Sequence, residues 1–116
     1  MEAEHVFAAL VVAEIDAGVA WYTRLLGRPP DIVPNGYEAI WRLADSASFY
    51  VLADPARAGR GALTVAVADL DACVAGLSDR GIEPGPVDQV HPGARKAEVV
   101  DPDGNTVALI EVTAAS

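Results

Sequence analysis

The sequence contains an internal repeat, in which residues 65–81 resemble residues 10–27 at an offset of 55 positions. The second copy keeps the residue type at six positions of the first, namely Val12, Ala13, Asp16, Ala17, Val19 and Ala20. A repeat of this period predicts two copies of one supersecondary unit. Because each unit must bury one face against other structure, the repeat predicts two modules with a seam between them, where small-molecule sites commonly form.

Both copies predict the same order of elements, which is a strand, a helix and three more strands. In the first copy an apolar strand at residues 5–13 precedes a helix at 17–26, with Asp16 as its N-cap and Gly27 as its stop. Turn residues then separate strands predicted at 31–33, 37–43 and 46–53.

The second copy begins with a strand at residues 62–68 and a helix that Asp69 or Asp71 caps and Gly81 stops. A short edge strand within 83–90 and strands at 95–100 and 106–112 complete it. We therefore predict a single α+β domain over residues 1–116, with a first module at about 4–54, a linker at about 54–61 and a second module at about 62–113.

Composition restricts the partners that such a domain can have. The net charge of −9 opposes binding to nucleic acid or anionic membranes and favours cationic partners, although an acidic excess also simply keeps a small protein in solution. Charge or glycine interrupts the apolar stretches well before the roughly 20 residues that a membrane span needs. We predict a cytoplasmic protein, in which the single cysteine, Cys73, is a small buried helix residue.

Two segments carry a family resemblance. Residues 10–27 (LVVAEIDAGVAWYTRLLG) and 101–112 (DPDGNTVALIEV) resemble the signatures of the vicinal oxygen chelate superfamily, which includes glyoxalase I, extradiol dioxygenases and bleomycin-resistance proteins. The resemblance implies two tandem β-α-β-β-β modules that form a curved mixed sheet around a cleft, and a homodimer. Within the superfamily, the chain resembles the metal-free bleomycin-resistance branch most.

The same resemblance tests for a metal site. Enzymes of the superfamily hold a divalent metal with His, Gln or Glu on four strands, and the aligned positions here are Phe7, Ala62, Tyr50 or a neighbour of it, and Ala108. These residues are poor ligands for a divalent ion. We therefore predict no metal, no cofactor and no catalytic residue, and the sequence leans away from an enzyme.

Seven residues are predicted to bind a ligand in the cleft. Apolar walls are expected from Phe7, Trp41, Tyr50 and Ile110, and hydrogen bonds from Thr64 and Thr106. Arg95 is added because an arginine six residues before the DPDG turn is common in the bleomycin-resistance branch. Trp21 and Tyr22, at helical spacing, are predicted to belong to the core.

The sequence leaves three functions open. The first is a metal-free binding protein that sequesters a cationic aromatic antibiotic or metabolite. The second is a lyase, isomerase or dioxygenase with atypical ligands among His5, Glu98 and Glu111. The third is a domain whose own side chains have closed the pocket.

Overall fold

The computed structural model describes residues 1–113, which form two modules of one helix and four strands each. The elements of the first module are β1 (Val6–Val12), α1 (Ile15–Leu26), β2 (Ile32–Asn35), β3 (Glu38–Ala44) and β4 (Ala47–Ala53). Those of the second are β5 (Ala62–Ala66), α2 (Leu70–Asp79), β6 (Asp88–His91), β7 (Ala94–Val100) and β8 (Thr106–Val112). The predicted pair of β-α-β-β-β modules is confirmed.

Each module folds its strands into a mixed four-stranded sheet. The strand order is β1-β4-β3-β2 in the first sheet and β5-β8-β7-β6 in the second, so the two modules have the same topology. In both sheets the first strand pairs in parallel with the last, and the other neighbours are antiparallel. The strands thus form two sheets rather than one continuous sheet.

The helix ends agree with the sequence signals except at one cap. Gly27 takes φ 76°, a left-handed conformation that costs glycine little, and it ends α1. Asp69 caps α2 through its side chain, which accepts a hydrogen bond of 3.0 Å from the Ala72 amide. The predicted cap Asp16 is wrong, because α1 begins two residues earlier than predicted, after Glu14, and Asp16 lies in the first turn.

The short strands differ most from the prediction. Strand β2 includes Pro34 and Asn35, which the sequence assigns to a turn, and its register with β3 shifts between Ile32 and Asn35. Proline is compatible with this strand because β2 lies at the edge of its sheet. His91, predicted in a turn, is the last residue of β6.

Helix α1 packs on one face of the first sheet, and most of the core residues lie between the two. Trp21, Tyr22 and Leu25 are buried there against the side chains of Trp41 and Phe49. The Tyr22 ring lies 5.1 Å from the Phe49 ring, centroid to centroid. The prediction that Trp21 and Tyr22 belong to the core is confirmed.

A buried polar network links α1 to the turn between β7 and β8. The Tyr22 hydroxyl donates to Asp101 Oδ2 at 2.7 Å, and Asn105 Nδ2 donates to the same oxygen at 2.8 Å. Asp101 Oδ1 accepts the amides of Asp103 and Asn105, both at 2.9 Å. These four hydrogen bonds satisfy the carboxylate of Asp101, which is almost fully buried. Burial of a carboxylate without such partners would be costly.

The modules are also joined directly. Asn105 Nδ2 donates to the Val11 carbonyl at 2.8 Å, and its Oδ1 accepts the Gly61 amide at the same distance. At the helix ends, the Arg80 guanidinium donates to the carbonyls of Arg24 and Leu25.

None of the helices within residues 1–113 has the length and apolarity to cross a membrane.

The environment of Tyr22 predicts a loss of stability at high pH. Burial, the hydrogen bond to Asp101 and the charges of Asp101 and Asp103 raise the pKa of Tyr22 above its ordinary value of 10.0. Above about pH 10 the unfolded chain loses this proton and the folded chain keeps it. The contribution of Tyr22 to the free energy of unfolding is therefore complete below about pH 10. Above that pH it falls by up to about 1.4 kcal/mol per pH unit.

Urea denaturation of the parent and of Tyr22→Phe, repeated from about pH 8 to about pH 11, measures this effect. The variant is expected to start about 1 kcal/mol less stable, because it lacks the hydrogen bond to Asp101, and to lose less stability with rising pH. Equal pH slopes for the two proteins would assign the alkaline loss to other groups.

Candidate functional site

Each sheet has one face that carries a helix and one that does not, and we call the second the open face. In the first sheet Leu10, Val12, Trp41, Phe49 and Val51 point toward α1 and are buried. Since side chains alternate along a strand, the residues between them form the open face. Along β1, β3 and β4, the open face of the first module consists of Phe7, Ala9, Val11, Glu38, Ile40, Arg42, Ser48, Tyr50 and Leu52.

The second sheet has the same organisation. Leu77 of α2 packs with Val99 and Val107 in the core, so the intervening positions face away from the helix. The strand register places Thr64 opposite Ala108 and Ala62 opposite Thr106 on that side. Along β5, β7 and β8, the open face of the second module consists of Ala62, Thr64, Ala66, Ala94, Lys96, Glu98, Val100, Thr106, Ala108, Ile110 and Val112.

Five of the seven predicted ligand-binding residues lie on the open faces. Phe7 and Tyr50 lie on the first, and Thr64, Thr106 and Ile110 lie on the second. Phe7 is 59% exposed although it is a large apolar residue. The structure thus divides the predicted set between two sheets.

Trp41 does not lie on an open face, which corrects the predicted placement. It pairs across the strands with Phe49, and the two rings stack on the helix-covered face with centroids 5.9 Å apart. The side chain is 0% exposed, and its Nε1 donates to the Arg28 carbonyl at 3.0 Å. The residues of β3 that reach the open face are the alternate ones, Ile40 among them.

Arg95 also lies on the helix-covered side, so its predicted place in the cleft is corrected too. Its guanidinium contacts Asp71 of α2 at 3.3 Å and Glu111 of β8 at 3.1 Å. Hydrogen bonds to Asp71 and then to Glu111 raise the pKa of Arg95 above its ordinary value. Glu111 in turn accepts the Leu70 amide at 2.8 Å, so the cluster holds the beginning of α2 against the sheet.

The four positions that the resemblance aligns with metal ligands all lie on the open faces. They are Phe7, Tyr50, Ala62 and Ala108, and only the Tyr50 hydroxyl offers a donor atom. Over residues 1–113, no group of three or more His, Cys, Asp or Glu side chains could hold a metal ion. The donor set present therefore does not fit the superfamily's divalent metal.

The three atypical candidates for a metal site are dispersed. His5 Nε2 lies 2.8 Å from the Ser48 hydroxyl in the first module, and Glu98 forms an ion pair of 3.7 Å with Lys96 in the second. Glu111 is engaged with Arg95 and α2 on the helix-covered side. The arrangement does not bring these three side chains together on one face.

Ser48 is a polar residue of the first open face that the sequence did not indicate. Ser48 is almost fully buried and lies beside His5, whose ring is 4.6 Å from the Phe7 ring. Serine within an apolar strand gives no signal of its own. The pairing of Phe7 with Ser48 across β1 and β4 is what identifies it. A hydroxyl and an imidazole therefore lie beside the aromatic ring of Phe7.

Known proteins share both this topology and this sequence pattern. The family model described as Glyoxalase/Bleomycin resistance protein/Dioxygenase superfamily matches residues 4–109. The chain belongs to this superfamily. A glyoxalase/bleomycin resistance protein from Catenulispora acidiphila DSM 44928 is 38% identical over 94% of this chain and 98% of that one, with a TM-score of 0.88.

Two less similar proteins of known structure share the fold. A bleomycin-binding protein whose structure contains bleomycin is 21% identical over 94% of this chain and 98% of that one, with a TM-score of 0.78. TnmS3, an antibiotic-binding protein from Streptomyces sp. CB03234, is 20% identical over 97% of both chains, with a TM-score of 0.75. No curated protein matches the present chain at a significant level.

Proposed function

We propose that this protein is a metal-free small-molecule-binding protein of the glyoxalase/bleomycin-resistance type, and that its ligand lies over the open faces. The observation that carries the proposal is the chemistry of four positions on those faces, Phe7, Tyr50, Ala62 and Ala108. They offer an apolar and aromatic surface where enzymes of the superfamily hold a metal. Such a surface favours burial and stacking of an organic ligand.

The proposed site is completed by a second copy of the chain. Apolar side chains on the open faces are strongly exposed in the single chain, with Phe7 at 59%, Val100 at 62% and Val112 at 65%. Ligand sites normally bury most of the surface of their ligand, which one open sheet face cannot do. A homodimer that brings open faces together both covers these side chains and encloses a cleft.

The proposed ligand is aromatic and cationic, such as an antibiotic or a related metabolite. Phe7 and Tyr50 provide rings for stacking, worth roughly a kcal/mol for each good aromatic pair beyond burial. The net charge of −9 attracts cations over the whole surface. The fold shared with a bleomycin-binding protein and an antibiotic-binding protein supports this ligand class. We place this binding activity in the cytoplasm.

Calorimetric titration with bleomycin, at low and high salt and with and without a chelator, tests the proposal. Tryptophan fluorescence is a poor readout here, since Trp21 and Trp41 are buried on the helix-covered side. We expect saturable binding that weakens with salt and is unchanged by the chelator. Binding that the chelator abolishes and a divalent metal restores would contradict the metal-free proposal.

Phe7→Ala is expected to weaken ligand binding by about 1 to 3 kcal/mol, or roughly 5- to 150-fold in Kd, because it removes a wall of the proposed site. The matched control is Val33→Ala, which trims a similarly exposed apolar side chain on β2, outside the open face. The control is expected to bind like the parent. Equal affinities of parent and Phe7→Ala would remove Phe7 from the site.

A further inference from the structure

An apolar cavity lies between the modules, on the sides of the sheets that carry helices. Its volume is about 200 Å³, and both helices and both sheets contribute to its wall. Leu25 and Phe49 line it from the first module, and Val65, Leu77 and Leu109 line it from the second. Because all of these point away from the open faces, the cavity is separate from the site proposed above.

The polar groups at the cavity wall already have partners within the chain. The Tyr22 hydroxyl donates to Asp101 at 2.7 Å. The guanidinium of Arg80, an exposed residue at the cavity edge, donates to the carbonyls of Arg24 and Leu25. Across residues 1–113, every buried side-chain nitrogen and oxygen has a hydrogen-bond partner. Water in the cavity would therefore find few groups to bind, which favours an apolar guest.

We propose that this inter-module cavity binds a small, uncharged, apolar molecule of one or two rings. An engineered apolar cavity of about 150 Å³ in another protein remains dry and binds benzene, so a space of this size and chemistry suits a ring of that class. A cationic guest would lose its hydration without gaining an anionic partner, and it would meet the positive charge of Arg80 at the cavity edge. The guest would touch both modules and so would stabilise their packing against each other.

The single cysteine provides a direct reporter for this site. Cys73 lies in α2, lines the cavity and is partly exposed. This corrects the expectation that it is simply a buried helix residue. A guest in the cavity would cover the thiol, so labelling would require the guest to leave. At a guest concentration of about ten times its Kd, labelling of Cys73 should slow about tenfold.

The experiment uses the full chain with toluene as the probe and benzylammonium as its charged analogue. We expect toluene to raise the Tm and to slow labelling of Cys73 by a thiol reagent, and benzylammonium to do neither. Unchanged Tm and labelling rate up to the solubility limit of toluene would overturn the proposal. Equal effects of toluene and benzylammonium would also overturn it, since a cavity whose wall has no anionic group must bind the neutral molecule better than the cation.

A pair of variants locates the effect. Val65→Phe adds volume inside the cavity and is expected to abolish the response to toluene, whereas Thr64→Val, its neighbour on the open face, is expected to keep it. Should Val65→Phe not fold, Leu109→Phe fills the same space from β8. Phe7→Ala is expected to respond to toluene like the parent, so failure of this proposal and failure of the proposed function give different results. A toluene response that survives both cavity-filling changes would place the guest elsewhere and overturn the proposal.

Discussion

Trp41→Ala is expected to lower the free energy of unfolding by about 4 kcal/mol. The side chain is fully buried between α1 and the first sheet, where its ring stacks on Phe49 at 5.9 Å and lies 6.5 Å from Tyr22. Truncation removes these contacts, leaves a large cavity and takes away the hydrogen-bond donor of the Arg28 carbonyl. Chemical denaturation with the slope m held to the parent value measures the loss.

Tyr37→Ala is the matched control, because it truncates an aromatic residue that is 54% exposed just before the same strand. It is expected to change stability by no more than about 0.5 kcal/mol. If Trp41→Ala were as stable as this control and yet lost ligand affinity, Trp41 would belong on the open face, as its sequence position first indicates. The two measurements together therefore decide which face of β3 carries the ring.

The architecture could be predicted because the sequence encodes it locally and encodes it twice. The repeat predicted two modules, and turn residues between apolar strands set their order. Strand β8, residues 106–112, follows a strong Asp-Pro-Asp-Gly-Asn turn signal, and its predicted bounds equal the observed ones. Local signals were weaker around β2, where proline and asparagine are tolerated because the strand lies at an edge.

The face on which each strand residue lies was harder to predict. Strand β3 carries Ile40 and Trp41 side by side, so both of its faces are apolar and alternation alone does not say which one meets α1. The answer depends on Tyr22 and Phe49, which surround Trp41 only in the folded chain. Arg95 was added by resemblance alone, and its partners Asp71 and Glu111 come from other elements.

Five of the predicted binding residues could be placed from the sequence because their position depends only on alternation along a strand. Phe7, Tyr50, Thr64, Thr106 and Ile110 reach the open faces because simple alternation holds along β1, β4, β5 and β8. The inter-module cavity gives no sequence signal, since Leu25 and Leu77 are ordinary core residues of two helices. The space between them arises only from how the modules pack.

Asn105→Ala is expected to lower the free energy of unfolding by about 3 kcal/mol, because the fully buried side chain makes three hydrogen bonds worth about 1 kcal/mol each. Two of them run from Nδ2 to the Val11 carbonyl and Asp101, and one runs from the Gly61 amide to Oδ1. The Val11 carbonyl keeps a second donor in the Gly59 amide at 3.0 Å. The Gly61 amide has no such substitute among the hydrogen bonds described.

The control for this change is Asn35→Ala at the end of β2, next to the turn that leads to β3. That side chain also forms local hydrogen bonds, to Glu38 at 2.6 Å and from the Tyr37 amide at 3.0 Å, but it joins residues of one hairpin near the surface. Its loss is expected to cost about 1 kcal/mol or less. Urea denaturation of both variants gives the comparison. If they were equally stable, Asn105 would be an ordinary turn residue, and contacts between the sheets and helices alone would hold the two modules together.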